Sequence, residues 1–577
     1  MTNELLLQVR DLSVTLKTKG QHIQAVRNVS FEIAPGGTLA LVGESGSGKT
    51  MTAMSIIGLT SVNGDIAMSG QALFRGHDLL TLDPAGLRRI RGRRIGTVFQ
   101  DPAAALNPLM TVGNQIAEAA RAADTSRRDR QDIVRNLLGE VGLGGLEGVE
   151  QRYPHELSGG QQQRVMIAMA LSGNPDLLIA DEPTTALDMT VQAQILDLLQ
   201  RIQKMRGMAI LIISHDLGVV SRLAQDVVIL RAGAVVERGP VSRILSAPHD
   251  AYTRALVACS PTVDTRRPRL PTVDTVDDFP SMAPGPDTMI RAPADEPAIL
   301  SVRGLTVRYP GRGLLSPPIT AVEDVDLTLP RSSIVGIVGE SGSGKSTLAK
   351  AIVGLVRPQS GRMAFEGQGI RDPGRYSRAL RRQIQYVFQD AYGALNPRMS
   401  LRQALAEPLD IHGLNAGPDR APTIARLMDE VGLARGLIDR YPAELSGGQR
   451  QRVTIARALA LGPDLLICDE IVSALDVSVQ AQILNLLSDL QAARGLSLLF
   501  ISHDLAVVSH LCDRVAVMAD GAIIEEGPRH QVFQSPASDI TRRLLDAARA
   551  LEPDATAAAT GPAGTGARET VRAVAYA

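Results

Sequence analysis

The chain has 577 residues, a formal net charge of −1 and three cysteines. That length exceeds a single core and points to about three or four domains, while the near-neutral charge offers no bulk basic field for nucleic acid and no acidic excess for wholesale disorder. Cys259, Cys468 and Cys512 lie far apart, with neither pairing nor metal-ligand spacing, which fits a reducing compartment.

The N-terminal stretch MTNELLLQVRDLSV lacks the basic region and apolar core of a secretory signal. Short β-branched runs follow (Leu7–Val14, Leu39–Val42, Leu177–Ala180, Ala209–Ile213, Val227–Leu230), alternating with helical patterns such as Gln192–Met205. This alternation predicts an α/β unit with a mainly parallel sheet. The longest apolar runs, such as Met208–Ile213, fall far below the ~20 residues of a spanning helix. The chain is therefore expected to be soluble and cytoplasmic, reaching a membrane only through a partner. Residues 261–297 are rich in Pro, Asp and Thr, contain PTVDT twice and lack helical periodicity, so they read as a flexible tether. A second unit opens with Leu300–Val307, echoing Leu7–Val14, and Cys468 sits in one of its apolar strands as a small buried hydrophobe. The expected division is 1–260, 261–297, 298–548 and a disordered tail, 549–577.

The two units carry the same motifs in the same order. Ser158 to Ser446, Glu182 to Glu470 and His215 to His503 are each 288 residues apart, the mark of a duplicated folding unit. Each begins with G-x-x-x-x-G-K-[ST] between an apolar strand and a helical pattern: Gly43, Glu44, Ser45, Gly46, Ser47, Gly48, Lys49 and Thr50, then Gly339, Glu340, Ser341, Gly342, Ser343, Gly344, Lys345 and Ser346, with Thr347 opening the helix. Such a loop wraps phosphate oxygens in backbone N–H groups and adds a helix N-terminus. Lys49 and Lys345 would reach the β- and γ-phosphates of ATP, and Thr50 and Ser346 would ligate Mg²⁺. Downstream, an apolar strand delivers Asp181 or Asp469 to the Mg²⁺ shell, and the next residue, Glu182 or Glu470, faces the γ-phosphate as base for the attacking water. His215 and His503 follow further apolar strands and can bond the γ-phosphate and water; a lone histidine is usually structural, but this one recurs in both copies.

Ser158, Gly159, Gly160 and Gln161, and again Ser446, Gly447, Gly448 and Gln449, complete Leu-Ser-Gly-Gly-Gln motifs. With these the chain resembles the nucleotide-binding domains of ATP-binding cassette (ABC) proteins, over almost everything but linker and tail. The resemblance implies two P-loop domains, each with a helical signature subdomain, stacked head to tail. Lys49, Asp181 and Glu182 would then work with Ser446–Gln449, and Lys345, Asp469 and Glu470 with Ser158–Gln161. It implies that Gln100 and Gln389 touch Mg²⁺ and the attacking water, that Asp188 and Asp476 link the sites, and that both sites hydrolyse ATP. Tyr309 matches the aromatic stacked on adenine, where the first unit offers Leu16 and so a weaker contact. Ile471-Val472-Ser473 replaces Pro183-Thr184-Thr185, and loss of the proline is expected to loosen that turn.

The flanks narrow the resemblance. Phe99–Pro108, Phe388–Pro397, Asp188–Leu196, Asp476–Leu484 and Pro248–Leu256 look like the subfamily of dipeptide, oligopeptide, nickel and glutathione importers. This implies peptide import, with glutathione or nickel as alternatives, through two permease subunits served by an extracytoplasmic solute-binding protein at the inner face of a bacterial membrane. Permease docking would fall near Gln100–Val112 and Gln389–Leu401; Asn107-Pro108 and Asn396-Pro397 read equally well as turns. With only Cys259 near the C-terminal motif, no iron–sulfur cluster is expected. The rival class is a soluble tandem ATPase on ribosomes or DNA. The first usually has a long charged helical linker and the second zinc cysteine pairs, neither of which occurs here, and no contact with nucleic acid is expected.

Overall fold

The computed structural model describes residues 5–18, 21–60, 65–120, 127–185, 187–264, 266–273, 297–311, 317–370, 376–414 and 420–552. In the first unit a six-stranded sheet runs, in spatial order, Ala234–Pro240, Asp226–Arg231, Thr38–Val42, Ala209–Ser214, Leu177–Asp181, Ile95–Val98. All pairings are parallel except that of the Ala234–Pro240 edge. The inner strands Leu177–Asp181 and Ala209–Ser214 are buried throughout, as expected of a parallel sheet covered on both faces. An antiparallel sheet of Gln21–Ile33, Leu7–Thr18, Asp65–Phe74 and His77–Asp78 packs on one face through Leu12, Val14, Phe31 and Leu41.

The second unit repeats both sheets. Its main sheet runs Ile384–Val387, Leu465–Asp469, Ser497–Ile501, Ile334–Val338, Arg514–Ala519, Ala522–Pro528. Helices Val112–Ala120, Arg127–Glu140 and Gly159–Leu171 build a helical layer in the first unit, matched by Leu401–His412, Arg420–Glu430 and Gly447–Leu459 in the second. Loss of Pro183 does not loosen the turn in the second copy. Ser473 N–H to Glu470 C=O (3.3 Å) and Leu475 N–H to Val472 C=O (3.2 Å) reproduce the bonds at Thr185 and Leu187, and Ile471 and Val472 are buried.

The tether begins later than its composition suggests. Val263 and Leu270 are 1% and 2% exposed in the core of the second unit, and the buried Asn485 side chain accepts from Leu270 N–H (3.0 Å) and donates to Leu270 C=O (2.8 Å). Two apolar side chains and a saturated backbone outweigh the Pro-rich composition around them. The proposed tail also begins later: the helix Asp539–Ala550 runs past residue 548, and Leu551 is buried in the core of the first unit. The remaining proposed linker, 274–296, and tail, 553–577, lie outside the described residues.

Candidate ATP sites

The phosphate loop of each unit follows a buried strand and feeds a helix, Lys49–Ile56 or Lys345–Ile352. Gly48 sits at φ +97°, where a Cβ would come within 2.6 Å of Ala25 O, so only glycine closes this turn. Lys49 Nζ donates to Gly43 O (2.6 Å) and Glu44 O (2.9 Å); Lys345 Nζ donates to Gly339 O and Glu340 O at 2.8 Å. Burial pulls the pKa of both ammonium groups below the ordinary value, opposed by carboxylates of both units, Asp476 acting on Lys49 and Asp188 on Lys345. Inside each loop the hydroxyl of Ser47 or Ser343 is buried without a partner. Unpartnered hydroxyls beside buried lysines, within a loop of small residues, fit a polyphosphate.

Asp181 and Asp469 accept from Thr50 Oγ1 (3.1 Å) and Ser346 Oγ (2.9 Å), joining strand end to loop. Burial raises both carboxyls, Asp181 to about 6, with the Thr50 bond and Lys49 opposing. A hydroxyl and a carboxylate side by side are hard oxygen donors of the kind that hold a hydrated Mg²⁺. The neighbouring Glu182 and Glu470 have left-handed backbones, φ +47° and +49°, a strained setting for a non-glycine residue. The Glu182 carboxylate receives Gln100 Nε2 (2.8 Å) and Thr185 Oγ1 (3.0 Å) and faces His215 Nδ1 at 3.1 Å. Glu470 receives Gln389 Nε2 (2.8 Å) and faces His503 Nδ1 at 3.5 Å. Burial pushes these glutamates up, but the bond and charge of the facing histidine outweigh it and hold them below the usual carboxylate range. The histidines, reciprocally, are raised despite burial.

Each unit thus gathers its lysine, aspartate, glutamate, glutamine and histidine. The Leu-Ser-Gly-Gly-Gln segments stand apart. Ser158 and Ser446 cap their helices, accepting from Gln161 N–H (3.4 Å) and Gln449 N–H (3.3 Å), with exposed side chains. Among the described residues no hydrogen bond joins either motif to the opposite phosphate loop. The units meet instead through the neighbouring loops. Asp188 accepts from Ser341 N–H (3.2 Å) while capping its own helix at Val191 N–H (2.9 Å), and the Ser478 hydroxyl donates to the Glu44 carboxylate.

Three contacting residues escaped sequence reasoning. Thr185 holds Glu182; its hydroxyl is kept as Ser473 in the copy, which was the available signal. Tyr386 donates to Asp469, but the first unit has Thr97 there, so the repeat gave no cue. Tyr252, within the stretch Pro248–Leu256, accepts from Glu44 N–H (3.2 Å), with Arg231 stacked 4.8 Å from its ring centre. Tyr309 is 37% exposed, leaving its ring face available to a base. Asn107 and Asn396 form Asx turns, accepting from Leu109 N–H and Arg398 N–H at 3.0 Å, and the first turn leaves Leu109 85% exposed.

Two P-loop α/β domains in tandem, each pairing a phosphate loop with an Asp-Glu strand end and a histidine, define an ATP-binding ATPase. The ABC transporter family matches residues 26–185 and 322–473, and the oligopeptide/dipeptide transporter C-terminal region matches 236–279. The chain is 44% identical over 564 residues to the glutathione import ATP-binding protein GsiA of Escherichia coli (strain K12), covering 95% of this chain and 90% of that protein. It has the same identity and coverage to GsiA of Shigella sonnei (strain Ss046). The dimeric ATP-binding cassette MJ0796 bound to ADP and Pi is 29% identical, with a TM-score of 0.37, over 41% of this chain and 98% of that one. The chain belongs to the ABC transporter family, as a tandem ATP-binding protein.

Proposed function

We propose that this chain is the ATP-hydrolysing subunit of an importer for small peptides, working through two permease subunits and an extracytoplasmic solute-binding protein at the inner face of the bacterial membrane. The observation that carries the reading is the match of residues 236–279 to the oligopeptide/dipeptide transporter C-terminal region, in a chain 44% identical to a glutathione import protein over nearly its full length. Glutathione, itself a tripeptide, is the particular solute favoured by those relatives. No described helix is long and apolar enough to cross a membrane, so attachment through permeases accords with the reading. The exposed Leu109 supports a docking role for the segment Gln100–Val112.

In each site the phosphate loop binds ATP, and Thr50 with Asp181, or Ser346 with Asp469, would hold Mg²⁺, which supplies charge neutralisation on the phosphates. Glu182 or Glu470 takes the proton of the attacking water, while His215 or His503 and the glutamine amide hold that carboxylate in place. Ser158–Gln161 and Ser446–Gln449 complete the sites across the interface when the units close. Asp188 and Ser478 already reach the opposite phosphate loops, which supports a head-to-tail arrangement.

The test is purification of the tagged chain from detergent-solubilised membranes of its host, followed by reconstitution of the recovered complex. Two multi-span proteins in equal amounts, and turnover stimulated by solute-loaded binding protein, are expected. Glutathione against an unrelated dipeptide then decides the solute. Recovery solely from the soluble fraction, with ribosomal or repair proteins, would refute the importer reading.

A further inference from the structure

The second ATP site has a contact that the first lacks. Tyr386 stands three residues before Gln389, as Thr97 stands three before Gln100. Each lies on the strand beside the Asp-Glu strand, Tyr386 level with Ile467 and Thr97 level with Ile179. The aspartate is therefore two residues further on along the same face of the sheet. Two residues of parallel strand span about 6.6 Å, a distance that a tyrosine side chain crosses and a threonine does not. The Tyr386 hydroxyl accordingly donates to Asp469 Oδ2, whereas Thr50 is the one side chain bonded to Asp181 among the described residues.

A half-buried tyrosine hydroxyl ordinarily finds some acceptor, so the choice of acceptor is what carries meaning. Ser346 Oγ donates to the other oxygen, Oδ1, at 2.9 Å, and the Asp469 carboxylate is thus held at both ends. The ring that bears the hydroxyl is itself fixed. It packs against the core and stands edge-on to Phe388, with 4.7 Å between ring centres and 63° between planes. Each carboxylate oxygen has about two acceptor positions, and these bonds take one on each, leaving both oxygens able to receive the water shell of Mg²⁺. With its proton committed to Oδ1, the Ser346 hydroxyl keeps its oxygen lone pairs for the ion. The Asp181 carboxylate, bonded through one oxygen to Thr50 at 3.1 Å, has to be oriented when the ion binds.

We propose that Tyr386 is a positioning residue for the Mg²⁺ of the second ATP site, and that the two sites therefore differ in their hold on the ion. The role rests on the ATP sites proposed above; the bond does not. Groups that orient a metal-binding residue are worth about 10–100-fold in metal affinity. Tyr386 orients a carboxylate that already has Ser346 bonded to it, which places the effect at the low end, about tenfold.

Mn²⁺ in place of Mg²⁺, counted by electron paramagnetic resonance in the full chain with a slowly hydrolysed ATP analogue, tests this. Lys49→Ala leaves the second site to be read, and Lys345→Ala leaves the first. The second site should hold Mn²⁺ about tenfold more tightly than the first; equal affinities would overturn the inequality. Tyr386→Phe removes the hydroxyl and keeps the ring. In the Lys49→Ala chain it should weaken Mn²⁺ by about tenfold and leave analogue affinity in EDTA within about twofold. In the Lys345→Ala chain it should leave Mn²⁺ within about twofold. Tyr386→Thr, the residue of the first site, should bring the second site to the first site's affinity. Mn²⁺ binding unmoved by Tyr386→Phe at the second site would overturn the proposal. So would an equal loss in both chains, or an equal loss of analogue affinity in EDTA, since either would give the tyrosine a structural role alone. Analogue bound in neither chain would overturn the ATP sites themselves, and the tyrosine's role with them.

Discussion

Replacing Glu182 and Glu470 by glutamine removes the charge and the proton acceptor while keeping the shape. Gln100 and Thr185 retain an oxygen at position 182 to donate to, at what are now 2.8 and 3.0 Å. The lysines bond to carbonyls of their own loops, so the phosphate loop does not depend on the glutamate for its shape. ATP affinity should therefore change little. A positioned general base contributes about 10²–10⁴-fold to rate, which corresponds to ~2.7–5.5 kcal/mol of barrier. The double variant should lose turnover by that factor. Each single variant should retain about half the phosphate release if the sites work independently, and far less if they fire together. Phosphate release and equilibrium binding of a slowly hydrolysed ATP analogue, measured on the same preparation, separate the two effects. A double variant within about threefold of the parent rate would take both carboxylates out of the reaction.

The Glu182–His215 pair should also give the fold a pH dependence. Its glutamate is held below 4.5, so that stabilisation is present above 4.5 and lost as pH falls through the folded value. Its histidine is held above 6.5, so its share is present below 6.5 and lost as pH rises through the folded value. Denaturant midpoints of the parent minus those of Glu182→Gln should therefore peak between 4.5 and 6.5; a flat difference would remove the coupling. Asn485→Ala strands two buried backbone groups of Leu270, at about 1–3 kcal/mol each, and should lower stability in urea by ~2–6 kcal/mol while exposing the Leu270 amide to exchange; a loss below ~0.5 kcal/mol would refute the docked segment around Leu270. Leu16→Tyr, with the second loop silenced by Lys345→Ala, should tighten ATP-analogue binding by about 2–10-fold, the worth of one aromatic stack; unchanged affinity would mean that position 16 does not meet adenine.

Most of the fold and of the site was legible because both rest on local requirements written twice. Apolar runs buried on both faces gave the parallel strands, and the repeated Gly-rich loop, Asp-Glu pair and histidine marked the strand ends. What remained hidden depends on distant partners. Composition gave the strap around Val263 and Leu270 as tether because its anchoring groups, Asn485 and Ser509, lie more than two hundred residues away. Tyr386 reaches Asp469 across neighbouring strands, and nothing in its own surroundings in sequence indicates it. The turn at Ile471 shows the opposite error: loss of the proline is expected to loosen it, whereas the same backbone bonds close with apolar residues buried in its place.

The differences between the copies follow from connectivity. A chain leaving the first unit must go on to the second. The strap therefore lies on the second unit. Residue 485 faces the Leu270 backbone there and must both donate and accept, which an asparagine does in one group. Its counterpart in the first unit, Asp197, faces solvent and pairs with Arg222 at 2.7 Å. An aspartate at 485 would bury a charge and leave Leu270 C=O without a donor, and an asparagine at 197 would lose the ion pair. The same reasoning separates Gly218 from Ala506, since Leu551 O approaches the first alone as closely as 1.6 Å from a Cβ position. The lysine, aspartate, glutamate, glutamine and histidine around the phosphate loops, by contrast, occur in both copies with matching bonds.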